Sequence, residues 1–251
     1  MPPFTAHNIR FEDGTCTMPG GPPILEESAL FKAAVRMLRL VFPQGLEGKS
    51  IADLGCLEGG YATGFARLGM TSTGFDAREA NVENCRYVAD KVKLPNLSFA
   101  RDDVKNIDRY APFDAIWACG IYYHIENPRA LMEKLSTACK RLLLLHTHFT
   151  YNRLTPGAEY HRLSDLCEHE RLMGRWFEES KGSQEEHDNA LWASWKNPRS
   201  FWIQKEHLLD LMQRVGFDIV IEQYDWLSPI LGGMSSTYHS VDRGFFIGIK
   251  T

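Results

Sequence analysis

An acidic residue followed by glycines, in a short segment near residue 55, could bind a nucleotide-type cofactor. Residues 50–54 form an apolar run that predicts a buried strand, and Asp53 lies near its end. Gly55 and Gly59 then allow a sharp bend and let a ligand approach the backbone closely. Residues 60–68 predict a helix whose N-terminus would face that ligand. The segment therefore predicts a cofactor site at the end of the first strand.

The spacing of the glycines separates two classes of cofactor. A dinucleotide loop uses G-x-G-x-x-G, in which the second glycine lets the pyrophosphate reach the helix N-terminus. Here Cys56, Leu57 and Glu58 stand between Gly55 and Gly59, so that second glycine is absent. The carboxylate of Glu58 would also repel a pyrophosphate. The loop thus disfavours a nicotinamide-dependent oxidoreductase and favours a cationic ligand. Glu58 could sense that ligand's charge or cap the following helix, and capping is favoured.

The same segment resembles motif I of class I S-adenosylmethionine-dependent methyltransferases, which has the form acidic-x-G-x-x-x-G. Asp53, Gly55 and Gly59 match this form. The resemblance implies a Rossmann-like fold and S-adenosylmethionine as the cofactor, which carries a sulfonium and an amino group but no phosphate. Cys56, inside the motif, would offer the cofactor a small apolar contact.

Three later segments extend the resemblance. In this family the second strand ends in an acidic residue that holds the ribose hydroxyls, and Asp76 follows the predicted strand 71–75. An acidic residue after the third strand bonds the adenine amine in the family, which leaves Asp102 or Asp103 here. The predicted strand 113–118 resembles motif IV. The further cofactor contacts that the resemblance implies are Asp76, Ala77, Arg78, Asp102, Asp103, Val104, Cys119 and Gly120.

The loop after the fourth strand is similar to the G-x-x-Y-H-x-x-x-P signature of one branch of the family. Gly120, Tyr123, His124 and Pro128 match it. That branch includes small-molecule methyltransferases and the tRNA wobble-uridine carboxymethyltransferase. Both substrate classes therefore stay open at this point.

Histidines near this loop could act as the general base if the methyl acceptor is a hydroxyl. His124 comes first because it follows the fourth strand, where the methyl group would project; alternatively it only shapes the loop through a backbone contact. His148 is a second catalytic candidate, and Tyr123 could position the substrate. His146 and His148 lie two residues apart, which would permit a shared metal, but no third ligand is recognisable and we predict no metal site.

Strand and helix patterns alternate along the chain, which predicts an α/β fold. We expect a doubly wound, mostly parallel seven-stranded sheet with helices on both faces, in a single domain. Its predicted parts are an irregular N-terminal arm (1–23), a Rossmann-like cofactor-binding core (24–148), an inserted substrate cap (149–201), and a C-terminal helix and strands that complete the sheet (202–251). The predicted helices are 24–42, 60–68, 78–92, 128–138 and 204–215, and the later strands are 97–100, 141–146, 217–223 and 244–250.

The cap lies before the last helix, on the side of the sheet where open α/β folds bind ligands. The cap and its border carry Trp176, Trp192, Trp195 and Trp202. Each tryptophan either anchors the cap to the core or forms part of an aromatic wall facing the substrate. The cap is therefore the predicted source of substrate specificity.

Length and composition limit the function classes. The 251 residues, 44% of them hydrophobic, can bury one sizeable core. A formal net charge of -4 and a pI near 6.1 argue against a nucleic-acid partner. No apolar run reaches the roughly 20 residues of a membrane span, and the first residues lack signal-peptide features, so we predict a cytoplasmic protein without membrane contact. The six cysteines form no C-x-x-C pair and indicate neither disulfides nor a zinc site.

These observations together predict S-adenosylmethionine-dependent methyl transfer to a small-molecule acceptor. O-methylation is favoured over N-methylation. Two alternatives remain, a tRNA wobble-uridine modifying enzyme and a non-catalytic S-adenosylmethionine-binding protein. Association into a homodimer is also left open.

Overall fold

The computed structural model describes residues 2–110, 112–152, 163–179, 190, 192–226 and 242–251. Short 3-10 helices lie at Leu25–Glu27, Val104–Arg109 and Tyr122–His124. The α-helices are α1 Ala29–Val41, α2 Gly60–Arg67, α3 Glu79–Val92, α4 Pro128–Ala138 and α5 Lys205–Arg214. The strands are β1 Ser50–Leu54, β2 Thr71–Asp76, β3 Leu97–Arg101, β4 Phe113–Cys119, β5 Cys139–His148, β6 Cys167–His169, β7 Leu172–Glu178, β8 Arg199–Ile203, β9 Ile219–Gln223 and β10 Arg243–Ile249.

The central sheet has seven strands in the order β3-β2-β1-β4-β5-β10-β9. Strands β1 to β5 all run parallel to one another. Strand β10 runs antiparallel to both of its neighbours, β5 and β9. The predicted mostly parallel seven-stranded sheet is therefore confirmed. From β1 the chain adds β2 and β3 on one side, and it then returns to add β4 and β5 on the other side, so the strand order reverses between β1 and β4. Open α/β sheets bind ligands at such a point, outside the carboxyl ends of the strands.

Strands β4 and β5, in the middle of the sheet, are buried on both faces. Ile116 and Leu143 belong to the hydrophobic cluster on one side of the sheet, and Trp117 and Leu144 to the cluster on the other. All four are 0% exposed. Because successive strand residues point to opposite faces, an uninterrupted apolar run such as that of β5 suits a strand covered on both sides. This double burial makes the carboxyl ends of β4 and β5 a rigid support for the loops that follow.

The predicted helix 24–42 is divided at Ser28. Ser28 has an extended backbone (ψ 148°), and its Oγ accepts a hydrogen bond from the Phe31 N–H at 3.2 Å. A serine that caps in this way begins a new helix, so α1 starts at Ala29. The other predicted helix and strand ends fall within one or two residues of the observed ones. None of the helices in the described ranges is long and apolar enough to cross a membrane.

Part of the predicted cap forms a second, three-stranded antiparallel sheet in the order β6-β7-β8. It is attached to the loop after β4, because the Phe201 N–H donates to the Ile125 carbonyl at 2.9 Å. The predicted cap boundary at 201 falls inside β8, which continues to Ile203 because residues 199–203 all pair with β7. Cap residues 153–162, 180–189 and 191 lie outside the described residues.

The N-terminal arm packs on the core although it has little regular structure. Arg10 and Cys16 form an isolated bridge within it. Ile9 and Phe11 pack against Val88 and Val92 of α3. The arm is thereby held beside the loop that follows β1.

Candidate active site

A cavity of about 720 Å³ opens at the carboxyl ends of β1 and β4. The loops after these strands form two of its walls, and residues of the N-terminal arm and the cap form others. Its volume suits a small-molecule site. The predicted site residues that line it are Asp53, Gly55, Asp76, Arg78, Cys119, Gly120, Tyr123 and His124.

The loop after β1 turns through a left-handed backbone at Gly55 (φ +65°) and Gly59 (φ +79°). A Cβ at Gly55 would lie 3.1 Å from the Ile121 side chain, and a Cβ at Gly59 would lie 2.6 Å from the Phe99 ring. Gly55 lines the cavity. Gly59 instead lies on the packed side of the loop, where it lets β3 approach. Gly59 lines neither cavity, and its contact with the cofactor stays a prediction.

Cys56 lies beneath the loop and lines neither cavity of the site. It is 1% exposed, its N–H donates to the Phe75 carbonyl, and its Sγ lies 3.8 Å from the Sγ of Cys85. This corrects the predicted contact between Cys56 and the cofactor, because the turn at Gly55 directs the side chain toward α3. Cys119 does line the cavity, and burial raises its pKa to about 11.

Asp53 is a buried carboxyl group in the cavity wall. It is 2% exposed, and its Oδ2 accepts a hydrogen bond from the Ala62 N–H at 2.9 Å. Burial raises the pKa of Asp53 to about 8, the Ala62 hydrogen bond opposes the shift, and the charge of Asp76 adds to it. Within the described ranges, no Lys, Arg or His side chain forms an ion pair with Asp53. A cation in the cavity would therefore be stabilised by this carboxylate and would favour its ionised form.

Asp76 ends β2 at the other side of the loop. Its Oδ2 accepts from the Leu57 N–H at 3.1 Å, and its Oδ1 accepts from the Arg78 N–H at 2.9 Å and the Asn81 Nδ2 at 3.1 Å. Burial raises the pKa of Asp76, although these hydrogen bonds act in the opposite direction. The bonds hold the carboxyl group rigidly at the cavity edge.

A narrower cavity of about 40 Å³ adjoins the larger one and shares Asp76, Arg78 and His124 with it. Its remaining wall includes the predicted cofactor residues Ala77, Asp103 and Val104, together with Ile125, Trp195 and Asn197. A carboxylate beside apolar side chains suits a planar heterocycle with an amino group.

The structure distinguishes the two acids after β3. Asp103 lines the narrower cavity. Asp102 lines neither cavity, because it accepts hydrogen bonds from Asn106 at 2.7 Å and Tyr110 at 2.8 Å. The bond from Asn106, followed by the weaker influence of Tyr110, keeps the pKa of Asp102 below its usual range. Of the two residues left open by the sequence, Asp103 is the one in reach of a ligand, and the predicted contact at Asp102 is corrected.

His124 forms the link between the cavities and the cap. Its Nδ1 lies 2.8 Å from Oε1 of Glu179, which also accepts a bond from the Ser200 hydroxyl at 2.7 Å. Burial alone would raise the pKa of Glu179, but the hydrogen bond from His124, the charge of a protonated His124 and then the bonds from Ser200 and Ser194 bring it below its usual range. The carboxylate is therefore an acceptor, so Nδ1 of His124 carries the proton that it donates; in the neutral form of the ring, Nε2 is then the basic nitrogen.

Tyr123 and His148, the other two catalytic candidates, have different surroundings. Tyr123 lines the larger cavity. His148 does not, because its ring is stacked on Trp202 (centroids 4.6 Å apart, 10° between planes) and meets the edge of Tyr123 at 4.6 Å. His146 lines the cavity instead. The structure thus places His148 against Tyr123 and Trp202 and outside the wall of the larger cavity, and its catalytic role stays a prediction.

The tryptophans of the cap divide between the two expected roles. Trp202 is 4% exposed and its Nε1–H donates to the Tyr123 carbonyl at 3.0 Å, so it anchors the cap. Trp192 is 59% exposed and lines the larger cavity. Trp195 lines the narrower cavity, where its ring lies 5.3 Å from the guanidinium carbon of Arg78. Arg78 also donates to the Ser194 carbonyl at 2.8 Å, which ties this wall of the cap to the start of α3.

Glu58 has a role that the sequence did not predict. Its carboxylate accepts hydrogen bonds from the backbone N–H groups of Thr5 (2.5 Å), Ala6 (3.1 Å) and His7 (2.8 Å) and from the Thr5 hydroxyl (2.9 Å). It does not cap α2, which corrects the favoured interpretation. The N–H of Gly60 at the start of α2 donates to Nδ1 of His7 at 3.0 Å. Burial lowers the pKa of His7 to about 4, so the ring is a neutral acceptor near pH 7.

Three functional residues were therefore missed by sequence reasoning, namely His7, Glu179 and Arg243. His7 and Arg243 line the larger cavity, and Glu179 contacts His124. Of these three, only Arg243 could have been noticed in the sequence, because it is a basic residue at the start of an apolar strand. In the described part of the chain, no group of three or more His, Cys, Asp or Glu residues could hold a metal ion.

Comparison with known proteins agrees with this architecture. A ubiquinone biosynthesis O-methyltransferase of Alkalilimnicola ehrlichii is 30% identical over 112 residues, which cover 44% of this chain and 43% of that protein. A tRNA U34 carboxymethyltransferase of Campylobacter concisus is 30% identical over 95 residues, covering 37% of this chain and 32% of that protein. The chain thus spans less than half of the length of these curated relatives.

Among solved structures, the N-terminal domain of EvdMO1, crystallised in the presence of S-adenosylhomocysteine (SAH) and D-fucose, has the same fold. Its TM-score is 0.68 at 19% identity, and the superposition covers 97% of this chain and 90% of that chain. The sequence pattern of the methyltransferase domain matches residues 27–222, well over half of this chain. The chain therefore belongs to the methyltransferase domain family.

Proposed function

We propose that this protein transfers a methyl group from S-adenosylmethionine to a hydroxyl group of a small molecule. The observation that carries the proposal is the His124–Glu179 pair, which stands where the two cavities meet. A methyl acceptor in the larger cavity would have a general base beside it. O-methylation is favoured over N-methylation because a hydroxyl must lose a proton and an amine can react without a base.

The residues present fit the cofactor. Asp53 and Asp76 are buried carboxyl groups at one cavity, and Asp53 has no cationic partner in the described residues, so a ligand that brings positive charge would be stabilised there. We propose that Asp53, Gly55, Cys119 and Gly120 hold its methionine part. Asp76 would accept the ribose hydroxyls, and Ala77, Arg78, Asp103 and Val104 would surround the adenine. Bound in this way, S-adenosylmethionine supplies an electrophilic methyl group.

The chain's own residues would then do three things. The arm and the cap form walls of the larger cavity around the acceptor, and Tyr123 orients the acceptor against His124. Nε2 of His124 takes the hydroxyl proton, while Nδ1 keeps its bond to Glu179. The carboxylate stabilises the imidazolium that results and fixes the ring plane. Positioning of the acceptor can itself contribute roughly 7–11 kcal/mol to the lowering of the barrier.

A tRNA acceptor is supported only by the Tyr123–His124 loop and by a partial similarity to a tRNA U34 carboxymethyltransferase. The net charge of -4 counts against it. Such an acceptor would give a salt-dependent affinity for tRNA, which binding measurements at two ionic strengths would detect.

Thermal denaturation with S-adenosylmethionine, SAH and NAD in parallel tests the cofactor. We expect the first two to raise the Tm by about 5–10 °C at a hundredfold excess over Kd, since a ligand bound only by the folded state stabilises it. Asp76→Ala should lose most of this shift, while Asp90→Ala, at an exposed acid on α3, should keep it. A shift with NAD alone would contradict the proposal. Methylation of hydroxylated but not amino acceptors would then support the O-methyl subtype.

A further inference from the structure

Arg243 is a cation in the wall of the larger cavity. It begins β10 and pairs in register with His148, the last residue of β5. Its guanidinium carbon lies 5.3 Å from the ring centroid of Tyr123, and its Nη2 would lie 3.4 Å from a Cβ at Gly120. It lines the larger cavity but not the narrower one, whereas Arg78 lines both. Arg243 therefore lines the cavity in which the proposed acceptor would bind.

Arg243 has no carboxylate partner among the residues that the structure describes. Its Nε is buried without a hydrogen-bond partner in the same ranges. Three acids line the same cavity and have other partners: Glu27 pairs with Arg10, Asp53 accepts from the Ala62 N–H, and Asp76 accepts from the Leu57 and Arg78 N–H groups. A buried guanidinium nitrogen without a partner is unfavourable, so a ligand that satisfies it gains binding energy.

His146 adds a second polar group to this wall. It is 4% exposed, its Nδ1 lies 3.5 Å from the Cys119 Sγ, and its Nε2 is buried with no hydrogen-bond partner among the described residues. Burial, and then the charge of Arg243, hold its pKa well below the usual range, so the ring is neutral. A neutral imidazole can donate one hydrogen bond without adding charge.

Apolar side chains form another part of this cavity wall. Leu25, Leu30, Ile121 and Trp192 line it. A ligand that fills the space must therefore combine an apolar or aromatic body with a polar group placed against Arg243.

We infer that the methyl acceptor is a hydroxylated carboxylic acid on an apolar or aromatic frame, with its carboxylate bound by Arg243 and its hydroxyl directed at His124. The guanidinium presents paired N–H donors whose geometry matches a carboxylate. Tyr123 touches both anchors, because its ring lies 4.2 Å from that of His124 and 5.3 Å from the Arg243 guanidinium. This inference rests on the proposed function and names the class of its acceptor.

Paired acid and amide probes test the inference without turnover. The SAH-loaded protein is titrated with 4-hydroxybenzoate and 4-hydroxybenzamide, and with 3,4-dihydroxybenzoate and 3,4-dihydroxybenzamide, by calorimetry. We expect the acid of at least one pair to bind at least tenfold more tightly than its amide. In Arg243→Gln this ratio should fall below twofold, Arg243→Lys should retain part of it, and Arg214→Gln, at an exposed arginine on α5, should leave it unchanged.

Equal affinities within both pairs, or no binding of either acid, would overturn the inference, as would an acid preference that survives in Arg243→Gln. A tenfold loss of SAH affinity in Arg243→Gln would also overturn it, since Arg243 would then hold the cofactor's own carboxylate. The SAH-induced Tm shift of each variant reports folding. If SAH does not raise the Tm of the wild type, the proposed function fails. If SAH raises the Tm but the protein does not prefer the acids to the amides, only this inference fails.

Discussion

Nδ1 of His124 lies 2.8 Å from Oε1 of Glu179, although the two residues are 55 positions apart. His124 ends the short 3-10 helix after β4, and Glu179 follows β7 of the cap sheet. The same carboxylate accepts bonds from Ser200 and Ser194, so the cap supplies a complete hydrogen-bonding environment for it. Folding of the cap onto the core therefore also assembles the His124–Glu179 pair that we propose as the base.

We expect Glu179→Gln to lower kcat for methylation of a hydroxylated acceptor about tenfold, with KM and the Kd of SAH within twofold of wild type. The amide cannot stabilise an imidazolium as the carboxylate does. His124→Ala should lower kcat by about 10²–10⁴-fold. Glu178→Gln, a neighbouring exposed acid, is the matched control.

The double variant His124→Ala, Glu179→Gln separates a positioning role from a structural one. If Glu179 acts through His124, the double variant should be no slower than His124→Ala alone. Losses that simply multiply would mean that Glu179 supports the fold of the cap and not the base.

Asp53 should make the stability of the cofactor-free protein fall with rising pH. Its pKa is about 8 in the folded protein against an ordinary 3.8, so between these values the folded state holds a proton that the unfolded state has released. The stability due to Asp53 is fully present below about pH 4 and is lost as the pH rises through about 8. Urea denaturation from pH 5 to 9 should show wild type losing stability relative to Asp53→Asn. Parallel curves for the two proteins would refute this.

The same carboxyl group should release a proton when a cationic cofactor binds. A positive charge in the cavity favours the ionised form of Asp53. Calorimetry of S-adenosylmethionine binding at pH 7, in buffers of different ionisation enthalpy, should therefore detect release of about one proton by wild type. Asp53→Asn should release none, and equal release by both proteins would assign the proton to another group.

Glu58→Gln should loosen the N-terminal arm. An amide retains one accepting oxygen where the carboxylate uses two, so we expect a loss of about 1–3 kcal/mol in the free energy of unfolding. Trypsin should cleave faster after Arg10, on the exposed part of the arm. Because Ala6 and His7 line the cavity, SAH affinity should fall as well.

Glu47→Gln, at an exposed acid before β1, is the control for this variant and should match wild type. Cleavage after the exposed Lys93 reports general unfolding. If cleavage after Arg10 and Lys93 accelerated equally in Glu58→Gln, the arm would not be held specifically by Glu58.

Much of the fold could be predicted because local patterns specify local structure. Apolar runs such as residues 50–54 predict strands, and their alternation with helices predicts a parallel sheet. In a parallel sheet the carboxyl ends of neighbouring strands lie at one edge, so Asp53 and Asp76 could be placed together without coordinates. Ser28 was missed as a helix start because a capping serine within an apolar pattern is a weak signal beside the pattern itself.

The sequence by itself determined which candidate site residues lie along one edge of the sheet. Asp53 and Gly55 lie at the end of β1, Asp76 at the end of β2, and Tyr123 and His124 after β4. Tertiary structure alone decided which residues complete that edge. Glu58 binds the arm some 50 residues before it, Glu179 reaches His124 from the cap, and Arg243 enters from the last strand. Such contacts depend on how distant segments pack, and no local periodicity encodes the partner of a buried polar group.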